Sequence, residues 1–139
     1  MSDVIATSRA ATLARAAQAM LRALGGDEVV VRCPAAAAPA SDDTNAELGI
    51  EGPVTEDVTV SPVVAGPGAA RTSDPRLRLE FLFAAATLAP YLADRGESAD
   101  DFFTGALGIV FGQKLLHIET VSAESFAGTP YLYRVVAAE

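Results

Sequence analysis

Few side chains in this sequence could do chemistry, and their spacing limits what each could do. His117 is the only histidine, so any relay of the serine–histidine–aspartate kind would have to run through it. Glu119 follows at i+2, on the same face of a strand, but one imidazole and one carboxylate are too few ligands for a zinc ion. A small enzyme using His117 with a distant carboxylate is one alternative, marked by a concave polar site. The plainer alternative is a strand histidine facing solvent or a neighbouring subunit. Asp100 and Asp101 are adjacent, and adjacent residues at a helix start point in different directions; both suit the positive end of a helix dipole. Cys33 is the single cysteine, which excludes an intrachain disulfide and a cysteine-based zinc site. Gly25-Gly26 and Gly66-Pro67-Gly68 lack the lysine that a phosphate-binding loop places after its glycines. No catalytic, cofactor-binding or metal-ligating residue is assigned. Tyr131-Leu132-Tyr133-Arg134 instead carries residue types enriched at protein interfaces, with a strand placing both tyrosines on one face and Arg134 opposite.

The elements that position these groups follow from periodicity. Leu13, Ala17, Met20, Leu21 and Leu24 recur at the spacing of one helix face over residues 8–24, with Thr7 or Ser8 as cap and Gly25-Gly26 as stop. That face packs either on its own domain or on a neighbouring subunit. Residues 27–33 form a short strand whose three valines suggest burial on both sides. Residues 34–53 hold alanines, prolines and acids, with Leu48 and Ile50 as the only larger apolar side chains; this composition predicts an arm or loop. Residues 55–64 alternate as a strand, with Pro62 marking an edge or a bend. Leu77, Leu79, Phe81 and Phe83 give the clearest period of two. Residues 85–93 contain Pro90 and predict only a helical turn, while Ser98 to Asp101 opens a short inserted helix through Leu107. Ile109–Phe111, a turn at Gly112-Gln113 and residues 114–121 form a hairpin, with glycine where a type II′ turn needs it. Residues 122–130 read as a loop before a last strand at 131–136.

Composition bounds the rest. With 139 residues the chain suits one domain with one core. A net charge of −8, a single lysine and no basic tail argue against a protein that grips nucleic acid in a sequence-specific way, although DNA could slide past such a surface. No stretch is apolar and long enough to span a membrane, and Asp3, Arg9, Arg15 and Arg22 interrupt any secretory signal pattern, which favours a reducing cytoplasm.

Residues 108–121, Gly-Ile-Val-Phe-Gly-Gln-Lys-Leu-Leu-His-Ile-Glu-Thr-Val, followed by a variable stretch and Tyr131-Leu132-Tyr133-Arg134-Val135-Val136, resemble the ending of small bacteriophage head-completion proteins. There a strand, a glycine-containing turn and a strand closing on Ile-x-x-Val (here Ile118 and Val121) precede a final strand. The resemblance covers residues 77–136. It implies a small β-barrel that forms a homo-oligomeric ring in the head–tail connector, or neck, between portal and tail, without cofactor or catalysis. The expectation is thus an α+β, mainly β domain over residues 1–139: an antiparallel barrel or sandwich with an N-terminal helix and a short inserted helix. Such a protein is a virion structural component, assembled in the bacterial cytoplasm, whose partners are further copies, portal or adaptor and tail proteins. Leu13, Met20, Leu21, Leu24, Leu48, Ile50, Tyr131, Tyr133 and Arg134 are the expected contact residues. The rival from another class is a barrel holding an apolar ligand among Phe81, Phe83, Phe102, Phe103 and Phe111.

Overall fold

A computed structural model describes residues 2–34, 55–67 and 76–139. The elements run α1 (Ser2–Ala23), β1 (Asp27–Pro34), β2 (Thr55–Pro67), β3 (Arg78–Ala84), α2 (Ala85–Arg95), α3 (Ala99–Gly105), β4 (Gly108–Phe111), β5 (Lys114–Phe126) and β6 (Thr129–Ala138). The strands close an antiparallel barrel in the order β1-β2-β3-β6-β5-β4. The expected barrel, N-terminal helix and inserted helix are all present.

Alternation builds the barrel. Leu79, Phe81 and Phe83 of β3 point inward, as do Val29, Val31 and Cys33 of β1 and Tyr133, Val135 and Ala137 of β6. Val30 between them is only half-buried, so β1 is covered on one face and not on both. Pro62 falls in the irregularity of the β1–β2 ladder, between Val60 opposite Val29 and Val63 opposite Asp27, and just before β2 begins to pair with β3 at Val63, so no ladder pair needs the hydrogen bond that proline cannot donate. Leu88, Phe102 and Phe103 from α2 and α3 are buried in the same core and close one end of the barrel. Pro90 lies inside α2, at the middle of its 11 residues, and the helix runs through it at the cost of one helical bond, with the proline on the exposed side. Ser98 caps α3 by accepting a hydrogen bond from the Asp101 amide at 3.1 Å.

Helix α1 begins at Ser2, ahead of the expected caps Thr7 and Ser8, and ends as expected at Gly25. There the Gly26 and Gly25 amides donate to Leu21 and Arg22 carbonyls while Gly25 takes φ 81°, a left-handed cap that glycine adopts without strain. Ala17 and Leu21 then rest on Ala84 and Leu132, on the outer face of the β3–β6 seam. The helix is pinned to α2 as well, where Gln18 donates to the buried Thr87 hydroxyl at 3.1 Å.

Candidate interaction surfaces

The groups that could react are engaged or spread apart. His117 is exposed on β5, beside Ala138 of β6. Glu119, its candidate partner, is gripped instead by Arg78 at 2.5 and 3.1 Å. Among the described residues, no three His, Cys, Asp or Glu side chains are grouped to hold a metal ion. Cys33 is buried, and that burial pushes its thiol above the ordinary value, with Arg95 opposing weakly. A neutral, inaccessible thiol is a poor nucleophile. Beside it, a cleft of about 410 Å³ is lined by Glu56, Asp94, Arg95, Glu97, Asp101 and Phe102. Its one cation is already committed: Arg95 bonds Glu56 at 3.0 Å and Glu97 at 3.2 Å, and lies 5.9 Å from the centre of the Phe102 ring. The five phenylalanines of the ligand-chamber alternative are largely one another's neighbours. Phe83 and Phe102 each lie about 5 Å from Phe103 (5.1 and 5.2 Å), and Phe81 meets Phe111 edge-on at 5.8 Å.

The expected contact residues divide sharply. Leu21 is fully buried against its own barrel, so it is corrected from a subunit contact to a core residue; it lies at the centre of the inward helical face. Tyr133 needs the same correction: its ring lies inside the barrel, 6.2 Å from Phe103. Burial raises its phenol above the usual range, and the nearby charge of Asp100 adds to this. The two tyrosines do not share a face. Register slips between Glu124 and Ser125, so Leu132 opposes Glu124 and Pro130 opposes Ser125, leaving Tyr131 unpaired. The slip lets Tyr131 pack with Leu132 beneath α1 while Tyr133 turns inward. Arg134 is on the outer face, bonded to Glu80 at 2.9 Å and Glu124 at 3.4 Å. Leu13 is half-buried, whereas Met20 (45%) and Leu24 (63%) are open to solvent. Leu48 and Ile50, with the acidic arm after Pro34, lie outside the described residues.

One surface was not anticipated. The stretch expected as a loop continues β5 to Phe126 and begins β6 at Thr129, with only Ala127 and Gly128 in the turn. Residues 122–129 are all exposed, so polar side chains stand on both faces and erase the alternation that marks a half-buried strand. The turn takes positive φ at both central residues, 50° and 81°, as a type I′ hairpin does. Strand β4, of 4 residues, pairs with β5 only through Leu116. From His117 onward, therefore, β5 bonds only to β6, and its other edge is open among the described residues. Asp100, Phe103 and Thr104 of α3 stand beside that edge, across a cleft from Ile118 to Val121.

No protein-family model matches the chain, and comparison with curated proteins and with solved structures finds no match either.

Proposed function

We propose that the protein is a non-enzymatic structural subunit of a phage or phage-derived particle, one of several identical copies in a head–tail connector ring between portal and tail. The observation that carries this reading is the long hairpin of β5 and β6. A two-stranded ribbon is marginal in water by itself, and an open edge of backbone donors and acceptors is a template for another strand. Natural barrels usually blunt such edges with lysine, proline or buried charge. Here the segment Ser122-Ala123-Glu124-Ser125-Phe126 has one charge, already bonded to Arg134, and an exposed phenylalanine. Surface of this kind serves assembly better than solubility. The resemblance of residues 108–136 to head-completion proteins supplies the particular assembly, and the acidic balance suits a channel that DNA passes without sticking.

The test is to follow the purified chain by light scattering and negative-stain microscopy across a range of concentrations. Rings of one size are expected. Replacing residues 123–130 with a short turn should keep the circular dichroism of the barrel and lose the rings. A chain that stays monomeric at every concentration, and also fails to join portal or tail components, would overturn the reading.

A further inference from the structure

From His117 to Phe126, β5 bonds to β6 on one side, and its other edge meets no strand among the described residues. Such an edge recognises extended backbone, and charges left free along it are what normally turn a second edge away. This edge carries two carboxylates, and both are engaged within the chain: Glu119 by Arg78 and Glu124 by Arg134. A second copy, with the same charges held in the same way, is not repelled. The ribbon tip, from Ser122 to Thr129, is exposed throughout. Nearer the base of the ribbon, a cleft of about 520 Å³ separates Ile118–Val121 from Asp100, Phe103, Thr104 and Ala106. Tip and cleft thus lie at the two ends of one free edge. Reversing a second copy against the first brings each tip to the other's cleft.

Two rules then fix the register. Directly opposed residues share a face, so the axis of a two-fold antiparallel pair passes through a residue and not between two. Alternation along β5 is unbroken only from Thr120 to Phe126, because Ile118 and Thr120 oppose Ala137 and Val136 and leave Glu119 as an extra residue. An axis at Glu124 sets carboxylate against carboxylate, and an axis at Val121 or Ser122 carries the pairing into the bulge. An axis at Ala123 uses the whole regular stretch: Thr120 opposes Phe126, Val121 opposes Ser125, and Ser122 opposes Glu124. It also places the smallest side chain of β5 where each copy meets itself.

We propose that two copies pair through β5, antiparallel, about a two-fold axis at Ala123, with the hairpin tip of each in the cleft between α3 and β5 of the other. One continuous sheet then joins the two barrels. The contact is isologous and closes on itself, so it makes pairs, and a ring is built of pairs through a second contact. This inference rests on the reading of the hairpin as an assembly surface and names what it assembles with.

Cysteine linkage of the full chain under oxidised glutathione reads the axis, with the native chain, whose Cys33 is buried, as the unlinked control. Ala123→Cys should form a disulfide-linked dimer as the main product. Ser122→Cys and Glu124→Cys should link poorly alone and readily when mixed, because each opposes the other. Sedimentation velocity reads the contact. Ala123→Lys and Ala123→Glu should each raise the apparent dissociation constant at least about tenfold while keeping the circular dichroism of the barrel. An equimolar mixture of the two should pair again, since unlike charges then meet across the axis. If the native chain assembles and neither linkage nor charge at Ala123 follows this pattern, the pairing is wrong and the ring reading stands. A native chain that stays monomeric overturns the proposal, and takes the ring reading with it if it also joins no portal or tail component. If Ala123→Lys leaves self-association intact but stops the chain joining those components, the edge belongs to another protein's strand and the proposal is overturned.

Discussion

Ala127 is the residue with the clearest backbone cost. It takes φ 50°, the only non-glycine residue with positive φ among those described. An L-residue with a Cβ is disfavoured there by roughly 1–2 kcal/mol, and asparagine followed by glycine is the preferred pair for this turn. Ala127→Asn should therefore raise stability by about 0.5–1 kcal/mol, read as a higher midpoint in urea with unchanged slope. A lower midpoint would mean that the turn is of another type. Alanine in this position keeps the hairpin tip small, which is consistent with a tip that fits against another surface.

At the scale of elements, α1 is the decisive case, because its periodicity favoured packing on its own domain without excluding a neighbouring subunit. Leu21 settles the direction: with 0% exposure it is the anchor between the helix and the β3–β6 seam. Leu21→Ala should cost about 2–5 kcal/mol in the free chain, whereas Met20→Ala should change stability by less than about 0.5 kcal/mol. Chemical denaturation of the two variants is the check, and equal losses would contradict the docking described. The barrel was legible in the sequence wherever one face of a strand is dry, as in Leu79, Phe81 and Phe83, and at Gly112, whose φ of 63° makes the expected tight turn. It was illegible where no face is dry. The ribbon from residue 122 to 129 has no alternation because water reaches both sides, so its serines and glycine, with Pro130 after them, imitate a loop. Helix α2 was underestimated because Pro90 reads as a breaker, whereas the helix continues through it, held by the burial of Thr87 and Leu88. Register slips after Ile118 and after Glu124 changed which side chains share a face, and no spacing rule anticipates a bulge. Spacing alone sets Glu119 on the face of His117, yet Arg78, 41 residues away in sequence, holds it.

For the molecule as a whole, one interior takes side chains from all six strands and from both helices that close its end. Two titratable groups sit in that interior, Cys33 and Tyr133, and burial raises both from their ordinary values of 9.0 and 10.0. Each is neutral when protonated, so the folded chain retains its proton to higher pH than the unfolded chain does. The stability they allow is therefore fully present below the ordinary values and is lost as pH rises through the raised ones. Thermal melts should show a midpoint that declines as pH rises beyond 9.0, with Cys33→Ala removing the first part of the decline and Tyr133→Phe the second. A midpoint that held level past both values would place these groups in contact with solvent. Strand β6 has a further consequence, for synthesis. It lies between β3 and β5, and it carries Leu132, the seat of α1, so the first helix and two other strands all wait for residues 129–138. Before β6 is made, the barrel therefore cannot close. Until β6 emerges, the nascent chain exposes unpaired strand edges and an undocked apolar helix, which are the surfaces that chaperones and proteases recognise. A premature stop ahead of Thr129 should therefore yield fragments that are degraded rather than shortened folded chains.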